Sequence, residues 1–211
     1  PYGAIVKMER PCAKACGMHA IHSDEYGRAD INYDKCVSCG MCLVNCPFGA
    51  IADKGQIFQT ILAMKAGTRV YAAVAPAFIG QFGPKLTPER FREAMKELGF
   101  ADVVEVAAGA DLCTIQEAKD FLEEVPDKIP FMGTSCCPSW SVMAKTEFPQ
   151  YANCISMALT PMVFTGRMIK KADPGCKVAF IGPCAAKKLE ASRRSVRSDV
   201  DFVLTFEEVM G

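Results

Sequence analysis

Twelve cysteines stand among 211 residues, and their spacing sorts them by the chemistry they could do. The tightest group is Thr134-Ser135-Cys136-Cys137-Pro138-Ser139-Trp140. Neighbouring side chains diverge, so two adjacent cysteines make a strained disulfide. They also chelate one metal poorly, because ligand pairs usually leave two or more residues between them. Cys136 and Cys137 therefore suit two different jobs. Phe180-Ile181-Gly182-Pro183-Cys184-Ala185-Ala186-Lys187-Lys188-Leu189-Glu190 repeats the same order of apolar run, Pro-Cys turn and polar segment.

A third group lies near the start. Cys36-x-x-Cys39-x-x-Cys42-x-x-x-Cys46-Pro47 has the spacing of the bacterial ferredoxin run, continued by Phe48-Gly49-Ala50-Ile51. In such a run three thiolates grip one 4Fe–4S cube and the fourth serves another cluster. Zinc is the alternative for four thiols, and the tight spacing followed by Pro favours the cube. Pro11-Cys12-x-x-x-Cys16-Gly17-Met18-His19-Ala20-Ile21 reads as the tail of a second run. By the pseudo-twofold logic of these modules, Cys16 completes the cube of Cys36, Cys39 and Cys42, while Cys12 and Cys46 belong to a second cluster. The other ligands of that second cluster should fall at Val6 and Glu9, neither a cysteine, so it needs some further ligand to form. His19 and His22 read as solvated or hydrogen-bonded loop residues rather than ligands.

Half of the residues are hydrophobic and the formal net charge is zero. That length holds one sizeable domain and a small one. A balanced charge offers no attraction for nucleic acid or a membrane surface. No apolar run reaches membrane-spanning length, and no basic start with an apolar stretch marks a signal peptide. The first residue is Pro rather than Met, which points to a start further upstream. The cysteine spacing favours metal ligation over a disulfide scaffold.

The elements that must position these groups follow from pattern. Residues 56–65 read as a helix joining a front module (residues 1–56) to a main domain (residues 57–211). Residues 70–75 form an apolar run suited to a buried strand ending at Pro76. Thr87-Pro88-Glu89 is a helix start, and Gly99 the stop. Strands are expected at 103–106, 129–132, 177–181 and 201–205, and helices at 111–125, at 206–210 and over a long stretch to about Lys171, broken near Pro161. Strands alternating with helices imply an α/β fold with a parallel sheet and flanking helices. Ligands gather at the C-terminal ends of such strands, where Ala75-Pro76, Cys136-Cys137 and Cys184 all fall.

These stretches together resemble the iron-only (FeFe) hydrogenases, whose first two signature motifs match the double-cysteine and Cys184 segments. The resemblance covers essentially the whole chain: a ferredoxin-like α+β iron–sulfur module, then roughly the first half of the catalytic domain. It implies reversible proton reduction or hydrogen oxidation at an H-cluster, a 4Fe–4S cube joined to a di-iron unit. Cys137 and Cys184 would ligate the cube, and Cys136 would be the proton donor to the di-iron unit. Lys187 would hold an iron-bound cyanide, with Ala75 and Pro76 lining the other. The proton route would continue through Glu117, Ser156 and Asp120. The resemblance also implies a cytoplasmic, anaerobic setting and electron exchange with ferredoxin or a similar carrier. Hydrogen splitting needs a hydride acceptor that side chains lack, which is why a metal cofactor must serve; thiol and carboxylate groups at hydrogen-bond spacing can relay the proton.

Departures from the family pattern mark a divergent branch. Gly182 stands where the common form has Met, Asp120 where it has Glu, and Glu124 where an arginine ends the route. The third motif, which brings two more cube ligands and the cysteine bridging to the di-iron unit, does not occur in these 211 residues. The expectation is that this chain alone is inactive and that a second chain or an oligomer completes it. A redox- or hydrogen-sensing relative and an iron–sulfur assembly scaffold are the rival readings; Cys136 and Lys187 favour the enzyme. Cys113, Cys154 and Cys176 have no ligand spacing and read as buried hydrophobes. Met157, Met162 and Met168 read as core filler on a long helix, Lys188 as an exposed base, and Arg193, Arg194 and Arg197 as a solvated cluster. On sequence alone Glu117 and Asp120 are a solvated helix face; only the resemblance lifts them.

Overall fold

The structure, a computed structural model, describes residues 10–211. Val6 and Glu9 lie outside the described residues. Two compact units separate between Lys54 and Gly55. The smaller contains helices α1 (Pro11–Lys14) and α2 (Met41–Val44) and strands β1 (Ile21–Ser23) and β2 (Ala29–Ile31). The strands pair antiparallel, with Ile21 opposite Ile31. Their turn is held by Asp24, whose Oδ1 accepts the backbone N–H of Tyr26 at 3.0 Å and of Arg28 at 2.7 Å, an arrangement in which a short acidic side chain mimics backbone. His22 sits on β1, its Nε2 3.1 Å from Asp30 Oδ2, rather than in a loop. Among the described residues of this unit the buried apolar ones are Cys12, Ala20, Ile21 and Val37. Units of this length commonly lean on metals or cross-links.

The larger unit is built on a parallel sheet of β3 (Val70–Val74), β4 (Asp102–Glu105), β5 (Lys177–Gly182) and β6 (Phe202–Thr205), in the order β4-β3-β5-β6. The central strands read Val-Tyr-Ala-Ala-Val and Lys-Val-Ala-Phe-Ile-Gly, and nearly every residue in them is buried, as a strand covered on both faces requires. The helices are α3 (Ile57–Lys65), α4 (Pro88–Glu97), α5 (Val106–Glu124), α6 (Pro138–Glu147), α7 (Pro161–Ala172), α8 (Ala186–Ser192) and α9 (Phe206–Met210). Gln56 is held by this unit, its Oε1 accepting Val203 N–H at 2.8 Å. Helix starts follow local chemistry: Thr87 accepts from Arg90 N before Pro88, and Thr205 and Glu208 form a reciprocal capping box. The fold is α/β, a parallel sheet with flanking helices, and a small antiparallel unit precedes it in the chain.

Three expectations about elements need correction. Residues 129–132 are not a sheet strand; a single parallel bridge joins Gly133 to Ile155 beside them. Pro126 and Pro130 flank and interrupt that segment, and a proline offers no N–H to a ladder. Helix α5 begins at Val106 rather than Asp111, directly at the end of β4; Ala107, Ala108 and Ala110 are strong helix formers that extend it backwards. The long helical stretch is interrupted after Glu147, where Phe148-Pro149 leads into a 3-10 turn (Pro149–Cys154) and an irregular connector before α7. Met157 consequently lies on that connector, 84% exposed, and is not core filler; Met162 is buried and Met168 exposed.

Candidate functional site

In the smaller unit the two helical turns are structural duplicates, with Cys12 matching Cys42, Cys16 matching Cys46, His19 matching Gly49 and Ala20 matching Ala50. Cys16 Sγ accepts the N–H of Ala20 and Cys46 Sγ that of Ala50, each at 3.3 Å. His19 (φ 48°) and Gly49 (φ 58°) share the left-handed backbone that turns each N–H toward its sulfur. Cys36 Sγ similarly accepts from Ser38 N at 3.4 Å. Hydrogen bonds of this kind to cysteine sulfur are those that tune iron–sulfur centres. Burial pushes the Cys42 thiol up, and the neighbouring Cys36 and Cys39 add to that, so these three groups share one neighbourhood. Backbone N–H groups of Phe48 and Ala50 pull Cys46 below its ordinary value. Among the described residues no three His, Cys, Asp or Glu side chains close on a single ion. A cube makes a different demand, since each thiolate meets its own iron at a separate corner.

In the larger unit the strand order turns on β3 and β5: β4 lies outside one and β6 outside the other. The crevice at the C-terminal edge between two such strands is where open α/β sheets bind ligands. Ala75-Pro76 leaves β3 there, and Ala75 N donates to Ile181 O at 2.9 Å, joining the ends of both strands. Pro183-Cys184 leaves β5 at the same edge, Cys184 half-buried. The double-cysteine turn comes from the connector to α6, not from a strand of this sheet. Cys137 is the residue before α6, with Pro138 in its first turn, so a thiolate there meets the positive end of the helix. Trp140 Nε1 donates to Thr134 O at 3.0 Å and closes the turn; Cys136 and Cys137 are both exposed.

Lys187 ties the two turns together. Its Nζ donates to Cys136 O and to Glu190 Oε2, both at 2.7 Å. Glu190 Oε1 in turn accepts Thr160 Oγ1 at 2.6 Å. Sequence analysis assigns no role to Glu190 or Thr160; burial of that acid is visible only in the fold. Lys188 also departs from the exposed reading: it pairs with Glu208 at 2.9 Å and is mostly covered. Arg193, Arg194 and Arg197 are exposed, as read.

Glu117 and Asp120 are half-buried on α5, one and two turns beyond Cys113. Asp120 Oδ1 accepts from Gln116 Nε2 at 2.8 Å. Ser156 is buried on the connector, its Oγ accepting from Ala158 N at 3.1 Å and its own N–H donating to Gly133 O at 2.8 Å. The structure thus sets Glu117 and Asp120 on one helix and Ser156 on the segment running towards α7; Asp120 and Ser156 have local hydrogen-bond partners. Cys113, Cys154 and Cys176 are buried. Cys113 Sγ donates to Leu159 O at 3.2 Å, and burial, then the charge of Glu117, pushes its thiol up. Gly182 has a steric reason to be glycine: a Cβ there would stand 2.4 Å from Phe180 Cε1 and 2.8 Å from its Cζ.

Comparison with known proteins assigns the class. Residues 68–211 match the family model "iron only hydrogenase large subunit, C-terminal domain", and residues 6–57 match the LdpA Fe–S cluster-binding domain. The chain belongs to the iron-only hydrogenase large-subunit family, and 4Fe–4S clusters are its cofactors. It is 29% identical to the NADP-reducing hydrogenase subunit HndD of Solidesulfovibrio fructosivorans over 82% of this chain and 34% of that protein. It is 30% identical to iron hydrogenase 1 of Clostridium pasteurianum over 77% of this chain and 32% of that protein. It is also 26% identical to the cytosolic Fe–S cluster assembly factor NAR1 of Kluyveromyces lactis over 81% of this chain and 29% of that protein. The chain spans about a third of the length of these relatives. Among the described residues no helix is long and apolar enough to cross a membrane.

Proposed function

We propose that the chain forms part of an iron-only hydrogenase, residues 1–56 carrying electrons and residues 57–211 building half of the hydrogen site. The observation that carries this reading is the bond from Lys187 Nζ to Cys136 O. It supports one site shared by two cysteine turns that lie far apart in sequence. In the front unit Cys16, Cys36, Cys39 and Cys42 hold a 4Fe–4S cube; Cys12 and Cys46 are left for a second cluster that lacks thiols at Val6 and Glu9. In the main unit Cys137 and Cys184 supply two thiolates to the cube of an H-cluster, which takes four. The bound cofactor supplies the redox-active iron and the hydride acceptor that side chains lack. Cys136 Sγ, exposed and beside that ligand pair, gives and takes the proton. Glu117, Ser156 and Asp120 pass it on, Glu117 and Asp120 from one face of α5 and Ser156 from the connector, once water or side-chain rotation bridges the gaps between them. Ala75, Pro76 and Lys187 line and hold the di-iron part. Ferredoxin or a similar carrier is the electron partner, another chain segment or copy completes the site, and the cytoplasm is the location.

A second reading is iron–sulfur cluster assembly, favoured by the likeness to NAR1 across most of the chain. Hydrogen evolution by the full-length protein, matured with the di-iron cofactor, separates the two. The hydrogenase reading expects turnover that disappears in Cys136→Ala, and expects none above background from residues 1–211 alone. Cluster transfer to an acceptor without any hydrogen turnover would establish the assembly role.

A further inference from the structure

Cys113 reads in sequence as a buried hydrophobe, yet the fold gives its thiol a partner in another element. The residue is 6% exposed on α5, and its Sγ donates to Leu159 O at 3.2 Å. Burial, then the charge of Glu117, pushes this thiol up, so it keeps the proton that it donates. Leu159 belongs to the connector that carries Ser156 and ends at Thr160, the residue before α7. Its neighbour Ala158 has a second tether: Ser135 Oγ, one residue before Cys136, donates to Ala158 O at 3.4 Å. Consecutive carbonyls of the connector are thus bonded to α5 and to the double-cysteine turn. Ser156 is fixed within the same loop, its Oγ accepting from Ala158 N at 3.1 Å. Gly109 makes the reach of the thiol possible. It lies one turn before Cys113, and a Cβ there would stand 2.1 Å from Thr165 Oγ1 and 3.2 Å from Pro161 O. The two helices close on that bare backbone, which brings Leu159, two residues before Pro161, to the cysteine.

We propose that Cys113 is a positioning residue of the proton route: its thiol clasps the connector to α5 and so sets Ser156 at a fixed separation from Glu117 and Asp120. This rests on the reading of Glu117, Ser156 and Asp120 as that route. Ser135 secures the same loop to the double-cysteine turn. Without the clasp every residue of the route is still present, but the two segments that carry them are no longer held in register.

The clasp is read first in residues 1–211. The infrared S–H stretching band that Cys113→Ala removes should lie at the lower frequency of a bonded thiol. Amide hydrogen exchange at Ala158, whose N–H bonds to Ser156, should quicken about fivefold in Cys113→Ala relative to that of Ala73 in the central strand β3. Cys113→Ser, which keeps a donor, should restore it. A band at the unbonded frequency, or an unchanged Ala158 to Ala73 ratio, overturns the proposal; if Cys113→Ala does not fold, Cys113→Val carries the same test. The link to proton delivery is read in the full-length protein, matured with the di-iron cofactor. There Cys113→Ala should lower hydrogen evolution roughly tenfold and raise its solvent deuterium isotope effect, with the cyanide infrared bands unmoved. Cys113→Ser should regain most of the rate. Rate and isotope effect unchanged in Cys113→Ala refute the positioning role even where the clasp is real. Absence of turnover in the unaltered protein refutes the hydrogenase reading itself, and this proposal with it.

Discussion

The two cysteine-bearing regions reach their geometry by opposite routes. In the front unit the candidate ligands come from two short runs, Cys12 to Cys16 and Cys36 to Cys46, and each turn supplies its own N–H groups to its own sulfur. At the sheet edge the candidate residues come from β3, β5, α8 and the turn before α6, and only tertiary contacts bring them together. A local site survives small changes in packing but fails with the loss of one ligand. An assembled site tolerates much local change but is sensitive to helix and strand positions. That difference can be broken or sharpened by substitution.

The largest expected effect is in the front unit. Cys39→Ala, in the whole chain reconstituted anaerobically with iron and sulfide, should lose the front cube outright, whereas Cys113→Ala should leave iron content unchanged. A front cluster that persists in Cys39→Ala would remove that residue from the ligand set. Next come two packing tests of the assembled region, each expected to cost about 1–3 kcal/mol by urea denaturation. Gly182→Met must displace the Phe180 ring, and pairing it with Phe180→Ala should cost less than the two losses added together. Gly109→Ala places a Cβ 2.1 Å from Thr165 Oγ1 and 3.2 Å from Pro161 O, which pushes α5, and with it Glu117 and Asp120, off α7. Gly109→Ala should therefore slow any proton delivery while sparing the front cluster. The smallest effect is electrostatic. Arg92 beside Asp102 holds its carboxyl well below the usual range, which ties α4 to β4. A depressed folded value means the stabilisation is present above the ordinary aspartate range and fades as pH falls through the folded value. The difference between unaltered chain and Asp102→Asn should be at most about 1 kcal/mol at neutral pH and vanish in acid.

The same contrast explains what could be read from sequence. The Cys36–Cys46 spacing is itself the local geometry, so the front site was visible before the fold. Buried strands such as residues 70–74 and the capped start at Thr87-Pro88 were equally legible, because apolar runs and caps act locally. The 129–132 segment misled because its apolar residues resemble a strand while Pro130 cannot join a ladder. Met157 misled because helix signals continue in sequence past Phe148-Pro149, where the backbone leaves the helix. Glu190 and Thr160 were invisible for a different reason: they lie thirty residues apart in chain and bond to each other, and only folding buries the acid.

The most direct test of two jobs for two adjacent thiols is the iron content and cluster spectrum of Cys136→Ala and Cys137→Ala in the full-length protein. If Cys137 is the ligand and Cys136 the proton donor, Cys136→Ala keeps the cube of the hydrogen site and loses turnover, while Cys137→Ala loses that cube. The reverse pattern, with the cube lost in Cys136→Ala and retained in Cys137→Ala, would contradict the assignment.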